Sequence, residues 1–160
     1  MGEPSGQRIS CLKTLESPRD LSVGHRPYQH SAAAVGPEFA TLMAHIAQQV
    51  PTELAFSIIS MHEQVLGCHT YISRARTTNE VVRGYRILAQ ILRDFAVSPV
   101  LPFDGAAATV FDGLVAQRVR IGRMDLRIAS IALSRGLVLV TRNARDFGKV
   151  PELRIEDWTV

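Results

Sequence analysis

A chain of 160 residues, 46% apolar and 21% charged, has the make-up of one globular domain. Such a length can bury roughly 68–70% of the unfolded surface without covalent staples. The two cysteines, Cys11 and Cys68, exclude a disulfide framework and lack metal-ligand spacing, which suits a reducing, cytoplasmic setting. Net charge is only +3, no apolar run is long enough to span a bilayer, and MGEPSGQRIS has no hydrophobic signal core, so neither a membrane nor a secretory role is expected.

The opening residues carry no helical or strand period, least of all LSVGHRPYQHSAAAVG at 21–36, with two histidines, a proline and two glycines. Residues 1–36 therefore read as an irregular or non-native segment, and 37–160 as the domain. Pro37 and Glu38 open a helix whose Phe39, Leu42, Met43, Ile46, Ala47 and Val50 share one face, and Pro51 ends it. LAFSIIS (54–60) is short, apolar and β-rich, the mark of a buried strand. Ser60 and Glu63 fit a capping box opening a helix to about Arg76; a second helix, after Thr77-Thr78-Asn79, runs to about Phe95.

VSPVLPF (97–103) reads as a strand that its prolines push towards an edge. A helix follows Asp104 and carries Ala107, Val110, Phe111, Leu114 and Val115. Asp125 reads as the cap of the helix DLRIASIALSR, closed by Gly136. LVLVT (137–141) is a strand buried on both faces, and LRIEDW is a last short strand. Strands separated by helices imply a mainly parallel sheet with helices on both faces.

Ligands of such sheets collect at the carboxyl ends of the strands. Ser60 and Glu63 follow the first of these strands; Thr141, Asn143 and Asp146 follow LVLVT; Asp125 begins the helix that feeds it. Three carboxylates, Glu63, Asp125 and Asp146, are thus expected on one rim. Clustered carboxylates repel unless a cation lies between them, and a hard divalent ion such as Mg²⁺ takes oxygen ligands. Each acid also has a plainer reading: Glu63 as part of its capping box, Asp125 as an N-cap, Asp146 as a turn residue.

Between Arg118 and Arg154 nine basic residues face three acids. Arg118, Arg120, Arg123, Arg127, Arg142 and Arg145 form a candidate phosphate-binding surface, although charge alone fits a solvated face equally well. Mg²⁺ beside arginines suits phosphodiester hydrolysis. Other motifs fail: His62-Glu63 lacks a second histidine, since Leu66 stands in its place, and no glycine-rich nucleotide loop occurs. His45, His62 and His69 read as helix-face residues.

The text SIISMHEQVLG, IGRMDLRIASIAL and LVLVTRNARDFGKVPELRIEDW, with all of 37–160, resembles the PIN-domain family and its VapC-type toxins. The resemblance implies a three-layer α/β sandwich with strand order 3-2-1-4-5. It implies a Mg²⁺- or Mn²⁺-dependent endoribonuclease, the toxin of a type II toxin–antitoxin pair, commonly a homodimer neutralised by a cognate antitoxin. Glu63, Asp125 and Asp146 match the family's second, third and fourth acids, on the metal, and Thr141 and Asn143 its supporting polar positions.

The sequence departs from the family at its start. The family opens on a central strand reading like LLDT, whose Asp is the first metal ligand, and no such text occurs; Asp20 has no strand to carry it. Codons permitted for Leu21 to Val35, read one nucleotide later, can give Tyr-Leu-Leu-Asp-Thr-Asp-His-Ile-Ser-Ile-Leu-Gln-Arg-Gln-Ser, a strand, the Asp-Thr turn and a helix start. The central strand is therefore expected to be missing or replaced, which puts activity in doubt. A catalytically dead PIN remnant that binds antitoxin or RNA is the alternative, and an unrelated α/β binding module would leave the acids apart.

Overall fold

The computed structural model describes residues 10–12, 37–49 and 53–160. Its elements are β1 (Ser10–Leu12), α1 (Pro37–Ala47), β2 (Leu54–Ser57), α2 (Ile58–Arg74), α3 (Thr78–Ala96), β3 (Val100–Leu101), α4 (Gly105–Ala116), α5 (Arg123–Leu133), β4 (Val138–Val140), α6 (Ala144–Phe147) and β5 (Arg154–Glu156). All the strand pairs are parallel, in the order β3-β2-β1-β4-β5. The expected sandwich and strand order are both present. The proline-bearing strand lies at the edge, where missing N–H donors cost least.

Of the two expectations for the central strand, missing or replaced, the second holds. Ser10–Leu12 fills the centre, Cys11 pairing with Ala55 on one side and Leu139 on the other. The physical reason is the pairing demand of β2 and β4, whose facing edges would otherwise carry unpaired N–H and C=O groups. Three residues suffice to close that gap. The stretch 21–36 and its frame-shifted reading lie outside the described residues.

β4 shows how the sheet divides two layers of helices. Leu139 belongs to a core with Ile128, Ile131 and Ala132 of α5 and Ala107 and Leu114 of α4. Val140, the next residue, packs with Leu42 of α1 and Trp158. That alternation is the two-residue period of a strand buried on both faces. α2 and α3 pack as a hairpin around Cys68, Ile91 and Phe95, and Phe95 meets Phe56 of β2 edge-on at 5.2 Å.

Several local starts differ from the sequence expectation. α2 begins at Ile58, because Ser57 caps it: the Ser57 hydroxyl accepts from Ser60 N–H at 2.9 Å. The β-rich IIS therefore turns helical, and β2 is shorter than LAFSIIS. The capping box belongs instead to α3, where Thr77 accepts from Glu80 N–H and the Glu80 carboxylate accepts from Thr77 N–H. Asp104 caps α4 as expected, accepting from Ala107 N–H at 3.0 Å. Arg135 at the end of α5 reaches the Asp104 carboxylate at 2.7 Å, which fastens one end of the antiparallel α4–α5 pair.

Candidate active site

Topology sets the elements that carry the three acids on the carboxyl side of the sheet. β2 runs directly into α2, so Glu63, in the second turn of α2, stands beyond the carboxyl end of β2. α5 ends where β4 begins, at the amino edge of the sheet, so its first turn and Asp125 lie towards the carboxyl edge. Asp146 lies on α6, directly after β4. α2 also packs against α5, which sets the carriers of Glu63 and Asp125 side by side.

The plainer readings of Glu63 and Asp125 do not hold. Glu63 is no part of a capping box, since Ser57 caps α2. Asp125 is not an N-cap either: Gly122 holds that position, and Asp125 is the third helical residue. A Cβ on Gly122 would lie 3.1 Å from Asp125 Oδ2, so the bare glycine leaves room for that carboxylate. Both acids are half-buried. A carboxylate in a helix's first turn is favoured by the helix dipole.

Asp146 is held differently. Thr141, buried at the end of β4, accepts from Asn143 N–H at 3.1 Å. Asn143 caps α6 by accepting from Asp146 N–H, and its amide donates to Asp146 Oδ2 at 3.2 Å. Lys149 donates to Asp146 Oδ1 at 2.5 Å. Lys149 first, then Asn143, hold the Asp146 carboxyl below the usual carboxylate range. Thr141 and Asn143 therefore form a ladder that fixes Asp146. Lys149 was not singled out from sequence; its i+3 spacing from Asp146 is the signal that could have found it.

The basic residues divide into two groups. Arg118, Arg120, Arg123, Arg142 and Arg145 are exposed. Arg127 is half-buried over the Phe111 ring, 5.9 Å from its centroid, and donates to the Met124 sulfur. Stacked there it has a packing role as well as a charge. His62 and His69 are exposed, and His45 stacks on Trp158 at 5.8 Å.

Carboxylate oxygens are the donors a hard divalent cation takes, and Glu63 and Asp125 fit that chemistry. Among the described residues, however, no three His, Cys, Asp or Glu side chains lie close enough together to hold a metal. Lys149 holds Asp146 in its present position. The residue that follows β1 in the sequence is Lys13, not an acid.

A parallel sheet in the order 3-2-1-4-5, with acids brought to its carboxyl rim between two layers of helices, defines a PIN-type nuclease fold. The tRNA(fMet)-specific endonuclease VapC of Salmonella typhimurium is 32% identical over 111 residues, which cover 67% of this chain and 76% of that protein. The Shigella flexneri protein of the same name is 47% identical over 64 residues, 38% of this chain and 48% of its own length. The crystal structure of DNA-bound VapBC from Salmonella typhimurium matches with a TM-score of 0.59 at 28% identity, covering 73% of this chain and 84% of that one. No family model matches the chain. The chain belongs to the VapC family; it spans about half the length of the Shigella relative and three quarters of the Salmonella one.

Proposed function

We propose that this chain is a metal-dependent endoribonuclease, the toxin of a type II toxin–antitoxin pair, acting in the cytoplasm on RNA and neutralised by a cognate antitoxin. What supports the reading is that the chain order sets the elements carrying Glu63, Asp125 and Asp146 at the carboxyl side of the parallel sheet, and that neither Glu63 nor Asp125 is a helix cap. Two relatives are named as endonucleases specific for tRNA(fMet), and a structural neighbour is a VapBC complex. Among the described residues no helix is long and apolar enough to cross a membrane, in keeping with a cytoplasmic site of action. A homodimer is the proposed assembly.

Glu63 and Asp125 would hold Mg²⁺ or Mn²⁺, with Asp146 joining them when Lys149 releases it. Bound there, the ion would supply an activated water and stabilise charge on the phosphoryl oxygens. The residues of the chain do the rest. Thr141 and Asn143 keep Asp146 at the rim, and the exposed arginines hold the polyanion over the acids. Arg118, Arg120 and Arg123 lie towards the Asp125 end of α5, and Arg142 and Arg145 flank Asn143 in sequence.

Manganese-stimulated cleavage of tRNA(fMet), abolished by Asp125→Asn, is the expected result. Cleavage that survives the substitution would overturn the assignment. One observation favours a second reading, a catalytically dead remnant that keeps its antitoxin: Lys13 follows the central strand where the family resemblance calls for an acid. On that reading the chain captures its antitoxin yet leaves RNA intact, even with manganese.

A further inference from the structure

Two helices on one face of the sheet end in the same hydrogen-bonded turn, with different residues at its turning point. At the end of α5, Leu137 N–H donates to Ala132 O at 2.9 Å and Gly136 N–H to Leu133 O at 3.1 Å, with Gly136 at φ 63°. At the end of α4, Val119 N–H donates to Leu114 O at 3.2 Å and Arg118 N–H to Val115 O at 2.9 Å, with Arg118 at φ 58°. Both are Schellman closures, whose turning residue is left-handed and usually glycine, because a Cβ is unfavourable there.

Packing does not explain the arginine. Val119 makes the apolar contact that the turn needs, joining Leu114 in the core. Arg118 is exposed, and its side chain has no ion pair or hydrogen bond with any described residue. It stands in the connection from α4 to α5, two residues before Arg120 and five before Arg123, towards the end of α5 that carries Asp125. The second left-handed non-glycine among the described residues is Glu152, at φ 62°, in the turn that leads into β5 at the opposite, amino edge.

We infer that Arg118 keeps this left-handed position because its guanidinium is an RNA-phosphate contact beside the acidic rim, a binding residue retained against the stability that glycine would give. The inference rests on the ribonuclease reading and names one residue of its RNA surface. It separates two quantities that usually move together. Arg118→Gly relieves the backbone and removes the charge, whereas Arg118→Ala removes the charge alone.

The test uses the full chain and a short fluorescein-labelled single-stranded RNA, in EDTA so that binding is read without cleavage. Arg118→Gly is expected to raise the thermal midpoint by roughly 2–4 °C while weakening RNA binding about three- to tenfold at low salt. Arg118→Ala should weaken binding equally and leave the midpoint unchanged. Both should flatten the log–log salt dependence by about 0.7, the contribution of one phosphate contact on a single strand. Glu152→Gly should raise the midpoint and leave binding alone. If both Arg118 variants bind as the parent does while Arg120→Ala and Arg123→Ala bind more weakly, the inference fails and the ribonuclease reading stands. If all four bind as the parent does, the arginine surface itself is wrong. A lower midpoint for Arg118→Gly would overturn the account of the turn.

Discussion

Replacing Gly84 with alanine sets two opposed effects against each other at the contact between α2 and α3. In a helix interior alanine is favoured over glycine by roughly 1 kcal/mol. Here the added methyl would collide with Ile72 Cγ1 and lie 3.3 Å from Tyr71 Cδ1. Ile72 packs against the Cys68, Ile91 and Phe95 core, and Cys68 donates to Gly84 O at 3.3 Å, so neither helix can move away freely. Overpacking a filled site costs typically ~1–3 kcal/mol. The packing cost prevails, leaving a net loss of about 1 kcal/mol, or roughly 2–4 °C in midpoint for a chain of this size. Gly113 is the control: it lies on α4 with nothing within 4 Å of an added Cβ, so Gly113→Ala should raise the midpoint by a similar amount. Thermal unfolding followed by circular dichroism reads both. Adding Ile72→Ala to Gly84→Ala should cost less than the two single changes together. A Gly84→Ala protein that gains stability as Gly113→Ala does would refute the close packing of these helices.

Two further substitutions bear on the rim and on pH. Gly122→Ala should fold normally, since Gly122 has φ −56° and ψ 143°, open to any residue, yet its methyl would press on Asp125 Oδ2. Manganese-dependent cleavage should fall by roughly tenfold at unchanged midpoint, and parental cleavage would show that the carboxylate has slack. Asp104 is held below the usual carboxylate range by Ala107 N–H and then by Arg135. Its stabilising effect is therefore complete above its unfolded value of about 3.9 and lost as pH falls through its lowered folded value. Asp104→Asn keeps a capping oxygen that does not titrate, so the midpoint gap to the parent should narrow on acidification through that window. A gap independent of pH would contradict the assignment.

The long, strongly patterned segments were legible in sequence. LVLVT could be nothing but a doubly buried strand, the prolines of VSPVLPF put it at an edge, and Asp104 and Gly136 marked their helix ends. What escaped is short or decided by tertiary contact. Ser10-Cys11-Leu12 is too brief for a two-residue period to show, and only the open slot between β2 and β4 makes it a strand. The IIS of LAFSIIS has β-branched residues, yet the Ser57 hydroxyl starts the helix there. For the candidate site, the order of strands and helices was legible, but not that Lys149 would hold Asp146 or that Arg127 would lie on Phe111. Such pairings depend on side-chain reach, which spacing only suggests.

The central strand has a consequence for the order in which the molecule is made. β1 is paired on one side with β2, the next strand in the chain, and on the other with β4, which follows only after four further helices and β3 have been made. Parallel pairing over such a separation is slow and must wait for the distant partner. During synthesis β1 and β2 are available long before β4, and Thr141, Asn143 and Asp146 come after it. The elements that carry Glu63, Asp125 and Asp146 therefore cannot take their places on a nascent chain until β4 and α6 have been translated.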